Sequence, residues 1–303
     1  MKGFFLMTEA CRICPRSCGA IRKENTAGGF CASPSLALIT RAAPHFGEEP
    51  CISGTRGSGT VFLSGCNLRC VFCQNHDISR GGEGKALDAQ GLREVFLRLR
   101  DTGVHNINLV TPTHYTEQLI PVLKRARDEK LGLPIVWNSS GYEKAEEIKK
   151  LRGLVDIYLP DMKYIREETA QKYSSAGDYF AHASKALDEM VSQAGTPIIH
   201  RGTMRRGVIV RHLILPGKSE ESKEIIKYLF ERYGNSIYIS IMNQYTPMEW
   251  VKNTHPELYR RVTEEEYASV VEYAESIGVK NAFIQDGNTA EESYIPPFDN
   301  TGV

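Results

Sequence analysis

The chain has 303 residues, enough for one α/β barrel of roughly 250 residues with a small appendage. Lysine plus arginine and aspartate plus glutamate number 37 each, so the formal charge is zero and no charge field draws the chain to nucleic acid or an anionic membrane. All eight cysteines lie at or before Cys73, and the N-terminal apolar run, Phe4 to Met7, is shorter than the roughly seven residues of a signal-peptide core. A disulfide-stapled secreted domain is thereby excluded, and the expectation is a cytoplasmic protein with thiols free or bound to metal.

Residues 1–50 read as a Cys-rich extension and 51–303 as the main domain, because a Gly- and Cys-rich texture gives way to alternating elements near residue 50. In the extension, Cys11, Cys14, Cys18 and Cys31 stand with gaps of two, three and twelve residues, threaded with Pro15 and Gly28-Gly29. Four thiolates suffice for a closed site, either structural zinc or an auxiliary 4Fe-4S cluster, and the spacing does not choose between them. Cys51 has no obvious partner. It reads as a buried thiol or, more boldly, as a replacement ligand for the front set.

From Gly59 onward, short β-branched runs alternate with segments of helical period. The runs are Thr60 to Ser64, Asn106 to Val110, Pro134 to Asn138, Val155 to Leu159, Val208 to Leu215, Ile237 to Met242 and Ala282 to Gln285. Between them Leu92, Val95, Phe96 and Leu99, then Leu119, Val122, Leu123 and Ala126, then Tyr267, Val270, Val271 and Ala274 each mark one buried helix face. Thr263 with Glu266 predicts a capping box, and Gly278 a C-terminal stop. Strand and helix in alternation imply a parallel sheet, curled into a full or partial barrel or left open and doubly wound.

Polar residues follow successive runs: Cys66; Thr111, Thr113 and His114; Ser139 and Ser140; Asp161 and Lys163; Asn243 and Gln244; Asp286. All would crowd the carboxyl edge of the sheet, where α/β barrels hold their active sites. The first of these groups opens Cys66-Asn67-Leu68-Arg69-Cys70-Val71-Phe72-Cys73, three thiols in eight residues. Soft thiolates so close select zinc or an iron-sulfur cluster. Structural zinc normally takes four ligands, and no cysteine follows Cys73, so zinc would need a distant histidine. A four-iron cluster on three thiolates leaves one iron open, which suits a cofactor that chelates through an amino and a carboxylate group. Three inert cysteines are the remaining reading.

Gly65 to Asn75 resembles the cluster loop of the radical S-adenosylmethionine (SAM) superfamily, within it the pyruvate formate-lyase activating enzyme branch. Asn138-Ser139-Ser140-Gly141-Tyr142 is similar to that branch's ribose-facing stretch, Asp156 to Lys163 to its aspartate-x-lysine motif, and Val210 to Gly217 to its arginine strand ending in Pro-Gly. The whole chain looks like a subgroup carrying extra N-terminal cysteines. The resemblance implies a partial (β/α)6 TIM-like barrel, a 4Fe-4S cluster on Cys66, Cys70 and Cys73, and reductive cleavage of SAM to a 5′-deoxyadenosyl radical. It also implies that Lys163 and Arg211 meet the methionyl carboxylate with Asp161 holding Lys163, that Asn138 and Ser140 meet the ribose, and that the ring or backbone of Phe72 faces adenine.

One departure stands out. Where the family has a Gly-Gly-Glu segment for the cofactor's amino group, this chain has Thr111-Pro112-Thr113-His114. Gly81-Gly82-Glu83 reads as a loop instead. Hydroxyls of Thr111 and Thr113, or neighbouring carbonyls, are the substitutes, and His114 is expected to face substrate or to sit at the surface or a cap. Three functions follow: a glycyl-radical-enzyme activase; radical modification of another polypeptide or a small molecule; or a non-catalytic electron carrier, which would leave the polar residues unexplained. Either enzyme would draw electrons from a low-potential donor of flavodoxin or ferredoxin type, and no nucleic acid or membrane partner is expected.

Overall fold

The computed structural model describes residues 10–24, 26–285 and 296–303. Strand β1 (Ala37–His45) leads through helix α1 (Pro50–Ser53) to β2 (Ser58–Leu63), followed by α2 (His76–Ser79) and β3 (Lys85–Leu87). Then come α3 (Ala89–Asp101), β4 (Ile107–Val110), α4 (Thr116–Asp128), β5 (Ile135–Ser139), α5 (Ala145–Lys149), β6 (Ile157–Pro160), α6 (Glu167–Ser174) and α7 (Tyr179–Ala194). The remainder is β7 (Ile198–His200), β8 (Thr203–Leu213), α8 (Ser219–Tyr233), β9 (Tyr238–Met242), α9 (Val251–Thr254), α10 (Glu264–Ser276) and β10 (Ala282–Ile284).

Seven strands pair in parallel, in the order β2, β4, β5, β6, β8, β9, β10. The order follows the chain with no reversal, so there is no switch point of the doubly wound kind. The sheet has two ends, and the barrel is partial. Strand β1 runs antiparallel to β2 from Ile39 opposite Leu63 to His45 opposite Ser58, and β3 pairs with β1. Residues 37–45, on the N-terminal side of the expected boundary near residue 50, therefore belong to the barrel sheet. Composition could not signal this, since the strand shares its segment with the cysteines but not their role.

Two of the three expected helix faces pack as their period requires, while on α10 only Val270 and Ala274 are buried and Tyr267 and Val271 are half-buried. Leu92, Val95, Phe96 and Leu99 on α3 and Leu119, Val122, Leu123 and Ala126 on α4 are buried, each large side chain stabilising the fold by roughly 1.5–3 kcal/mol. The capping box of Thr263 and Glu266 opens α10, and Gly278 follows its end at φ +96°. No described helix is long and apolar enough to cross a membrane.

A second, smaller core fills the barrel from within. Val136, Ile157, Leu159, Met204 and Ile209 point inward and are capped by Cys51 and Ile52 of α1. The helix thus plugs the end of the barrel where the strands begin, opposite the Cys66 loop. Cys51 is the buried thiol of the simpler expectation, its burial pushing it up to about 12.

Candidate active site

The loop leaving β2 needs a sharp turn, and Gly65 supplies it at φ +87°; a Cβ there would strike Ser33 and the Cys31 carbonyl. The loop is then tied down from several sides. Val71 N–H donates to the Tyr173 carbonyl (2.9 Å) and Arg69 N–H to that of Ser174 (3.3 Å), docking it on α6. The amide of Asn67 donates to the Tyr142 carbonyl (2.6 Å), and the Gln74 amide to that of Gln244 beyond β9 (3.0 Å).

Cys66, Cys70 and Cys73 stand together on this loop, partly exposed. Burial and the neighbouring thiols push Cys66 up to about 12 and Cys73 to about 11. Two donors aim at sulfur: Leu68 N–H at Cys66 Sγ (3.4 Å) and Ser174 Oγ at Cys70 Sγ (2.9 Å), the latter hydroxyl paired with Tyr164. Hydrogen bonds to cluster sulfurs raise reduction potential, so these contacts would tune a cluster held on the loop.

Around the loop the polar ring assembles. Lys163 Nζ lies 2.6 Å from Asp161 Oδ2. Burial works against its charge, but Asp161 and Cys70 hold the ammonium above the usual lysine range. Tyr179 OH, on α7, bridges the carbonyls of Ser140 and Asp161 at 2.8 Å each and so locks two post-strand turns together. Gly141 is required beside it, at φ +74°, because a Cβ would collide with the Asp161 carbonyl. Among the described residues, Ser140 Oγ is buried without a partner, and so is Asn67 Oδ1. Unmet acceptors and donors beside three thiols fit a polar cofactor seated on a cluster.

Thr111 holds φ +59°, a left-handed value that a β-branched residue rarely adopts, at the place where the family has glycine. Its N–H donates to the Asn138 carbonyl (2.9 Å). Asn243 and Gln244 join the rim through Gln285, and Asp286 lies outside the described residues. Gly81-Gly82-Glu83 forms the link between α2 and β3, as read.

Phe72 has its ring buried in the main core near Tyr245 (6.1 Å). Two residues sit otherwise than expected. His114 is neither at the surface nor a cap: it is buried against Tyr115, its Nε2 meeting the Ser64 carbonyl at 2.9 Å. Burial, with Arg22 nearby, lowers it to about 3, so it stays neutral. Arg211 has its guanidinium on two carboxylates, Glu49 in a bidentate pair (2.8 and 2.6 Å) and Glu48. Both acids come from the turn before α1, a segment with no motif to announce it.

Glu143 is a further residue the sequence reading missed. Fully buried on the loop after β5, it accepts from Thr113 Oγ1 (2.9 Å), Trp137 Nε1 (2.9 Å) and Ser139 Oγ (2.5 Å). Burial pushes its carboxyl above the ordinary value. It fixes two members of the ring, yet nothing in a lone Glu after Gly-Tyr signals that.

The front segment lies over the cluster loop. Arg16 donates to the Asn67 carbonyl (2.9 Å) and to Ser174 and Ser175, with its guanidinium 4.0 Å from the Phe30 ring. Arg69 of the cluster loop stacks on the same ring at 4.3 Å. Cys14, buried, is pushed up to about 11, by burial first and then by the charges of Cys31, Cys11 and Cys18. Among the described residues, no three Cys, His, Asp or Glu side chains close tightly enough around one point to hold a single metal ion.

The Radical SAM superfamily model matches residues 60–229, a stretch that holds the cysteine loop and the polar ring through Arg211. The chain belongs to the radical SAM superfamily. An uncharacterized protein of Methanocaldococcus jannaschii is 30% identical over 88% of this chain and 74% of its own length. The pyruvate formate-lyase-activating enzyme of Clostridium pasteurianum is 26% identical over 55% of this chain and 66% of its own. Among solved structures, Streptococcus suis SuiB bound to SAM superposes with a TM-score of 0.51 at 13% identity, over 73% of this chain and 48% of SuiB. HydG, a maturase of the [FeFe]-hydrogenase, gives 0.51 at 14% over 81% of this chain and 52% of HydG. The chain thus spans about half the length of these two structures and shares their α/β fold. Membership implies a 4Fe-4S cluster and SAM, and the three-cysteine loop with its ring fits both.

Proposed function

We propose that this radical SAM enzyme abstracts hydrogen from a polypeptide, as an activase of a glycyl radical enzyme. The observation that carries the reading is the convergence of Cys66, Cys70 and Cys73 with Ser140, Asp161 and Lys163 at one edge of the sheet, a constellation that electron transfer alone does not need. Kinship with pyruvate formate-lyase-activating enzymes supports the activase form. When bound, the cluster and SAM supply a 5′-deoxyadenosyl radical.

The chain's own part is to bind, orient and exclude. Cys66, Cys70 and Cys73 hold the cluster, while Ser174 and Leu68 N–H set its potential. Lys163, steadied by Asp161, offers the cation for the methionyl carboxylate. Asn138 and Ser140 offer the ribose its hydrogen bonds, and the Phe72 backbone lines the adenine. Thr111, with its neighbouring carbonyls, stands in for the missing amino clamp. Arg211 already faces two carboxylates, so its part in holding SAM is shared or indirect. Cys11, Cys14, Cys18 and Cys31, which do not close around a single ion in this structure, would hold a second metal centre once drawn together, a 4Fe-4S cluster or zinc, packed on the first loop through Arg16, Phe30 and Arg69. A low-potential flavodoxin- or ferredoxin-like donor reduces the active cluster. The Thr111 to His114 replacement and the front cysteines favour a second reading, in which another polypeptide or a small molecule is the substrate.

Anaerobically reconstituted, reduced protein should release 5′-deoxyadenosine from SAM, and with its partner should produce the doublet of a glycyl radical in electron spin resonance. Cleavage without that doublet in any candidate partner favours the second reading; no cleavage with a filled cluster refutes both. Cys70→Ala should abolish cleavage, whereas Cys14→Ala should alter the iron or zinc count and keep the first cluster. Equal iron loss in the two variants would sink the division into two sites.

A further inference from the structure

Among the described residues, two buried carboxylates of the barrel interior share one cation. Glu48 and Glu49 have side chains 7% and 6% exposed, and both face the one guanidinium of Arg211. Glu49 takes Arg211 in bidentate fashion, the strongest form of such a pair, and so accounts for its charge. Glu48 is then the surplus. It accepts from Arg211 Nη2, from Asn108 Nδ2 (2.7 Å) and, at 3.5 Å, from Asn138 Nδ2, which leaves acceptor capacity on the carboxylate unused. A surplus anion in this setting is costly unless something brings it a partner.

A second observation points the same way. Asn108 is fully buried, and its Oδ1 has no hydrogen-bond partner among the described residues. The amide cannot be turned round, because that would set an oxygen against the Glu48 carboxylate. A carboxylate with spare lone pairs and an unmet amide oxygen therefore sit on adjoining groups, both acceptors and neither a donor. Above them the interior opens: Val110, Asn138, Asp161 and Arg211 are all partly exposed. Below them the plug of Cys51 and Ile52 closes it.

We infer that Glu48 and Asn108 form a recognition site for a cationic N–H group, an ammonium or guanidinium, carried by the substrate. The inference rests on the reading that the substrate of this radical SAM enzyme enters the barrel, and it names what that substrate must present. The amino group of SAM does not meet the requirement. Asn108 lies at the level of Thr60 and Val136, three residues before Thr111, which places it roughly 10 Å along the strand from the clamp position beside the cluster. Glu49 and Arg211 hold Glu48 in place without consuming it. A polypeptide with lysine or arginine next to the reacting residue meets the requirement, and so does a small amine.

The test uses full-length, anaerobically reconstituted protein and three probes: Nα-acetyl-lysine methylamide, its arginine counterpart, and the neutral Nε-acetylated lysine form. Binding is measured by saturation-transfer NMR and calorimetry, apart from any turnover. Wild-type protein should prefer at least one cationic probe over the neutral one by tenfold or more, lysine or arginine preference telling ammonium from guanidinium. Glu48→Gln should lose that preference by tenfold or more, and Asn108→Leu, a near-isosteric apolar change, should lose it as well in protein whose thermal unfolding shows a folded chain. Equal binding of cationic and neutral probes overturns the inference, and so does a cationic preference that survives both substitutions. A fall in SAM affinity in Glu48→Gln matching the fall for the amines also overturns it, since the floor would then serve the cofactor. Deoxyadenosine release, assayed separately, tests the radical SAM activity and leaves the probe result to be read by itself.

Discussion

Replacing Glu143 separates its hydrogen bonds from its charge. Glu143→Ala removes one acceptor from three donors. The hydroxyls of Thr113 and Ser139 can rotate to other acceptors, but the Trp137 indole N–H is fixed by a fully buried ring. One orphaned N–H costs about 1–3 kcal/mol, and the cavity left by the lost side chain about 1–2 more. Relief of a buried carboxyl offsets part of this, for a net loss of about 3 kcal/mol. At this chain length that lowers the unfolding midpoint by about 6 °C. Glu143→Gln keeps Oε1 on Thr113 and Trp137 and turns an amide toward Ser139 Oγ, which can accept, so the loss should stay within about 1 kcal/mol. Thermal unfolding by circular dichroism under anaerobic conditions, with deoxyadenosine release in parallel, measures both. Equal damage from the two substitutions would refute the reasoning, because charge and not hydrogen bonding would then be what the ring depends on.

The buried ion cluster makes a second prediction: Arg211→Met strands two carboxylates and should cost roughly 3–5 kcal/mol in urea unfolding, with part recovered in Arg211→Met/Glu49→Gln. His212 supplies a pH dependence. Burial lowers it from the ordinary 6.5 to about 4 while it bonds the Met162 carbonyl and Ser222. The folded state holds it neutral, so its stabilisation is complete above pH 6.5 and is lost as pH falls toward 4, with about 2 kcal/mol gone by pH 5. His212→Gln should flatten the slope of stability between pH 7.5 and 5, and an unchanged slope would discount this residue as its source.

Much of the barrel was legible because its signals are local. Seven β-branched runs and the helix periods Leu92 to Leu99 and Leu119 to Ala126 each specify a strand or a helix face without knowledge of neighbours. The cysteine loop was legible for the same reason, its three thiols lying within eight residues. Glu48, Glu49 and Glu143 were not. They are acids in turns with no motif around them, and their meaning arises only from Arg211, Asn108, Thr113 or Trp137, which come from other strands and loops. His114 was misplaced because a side chain's direction off a loop depends on packing that no periodicity encodes.

The sequence by itself determined that strands and helices alternate, that the cysteines are confined to the front of the chain, and that polar residues follow the strands, because these depend on residue type and short spacing. Only the tertiary structure decided that β1 joins the barrel sheet, that α1 closes its lower end, and that Arg211 is occupied by two acids from the turn between them. Those are consequences of long-range closure: a carboxylate's charge acts over a few ångströms in space, and the residues within that distance of Glu48 stand as far as 163 positions away along the chain.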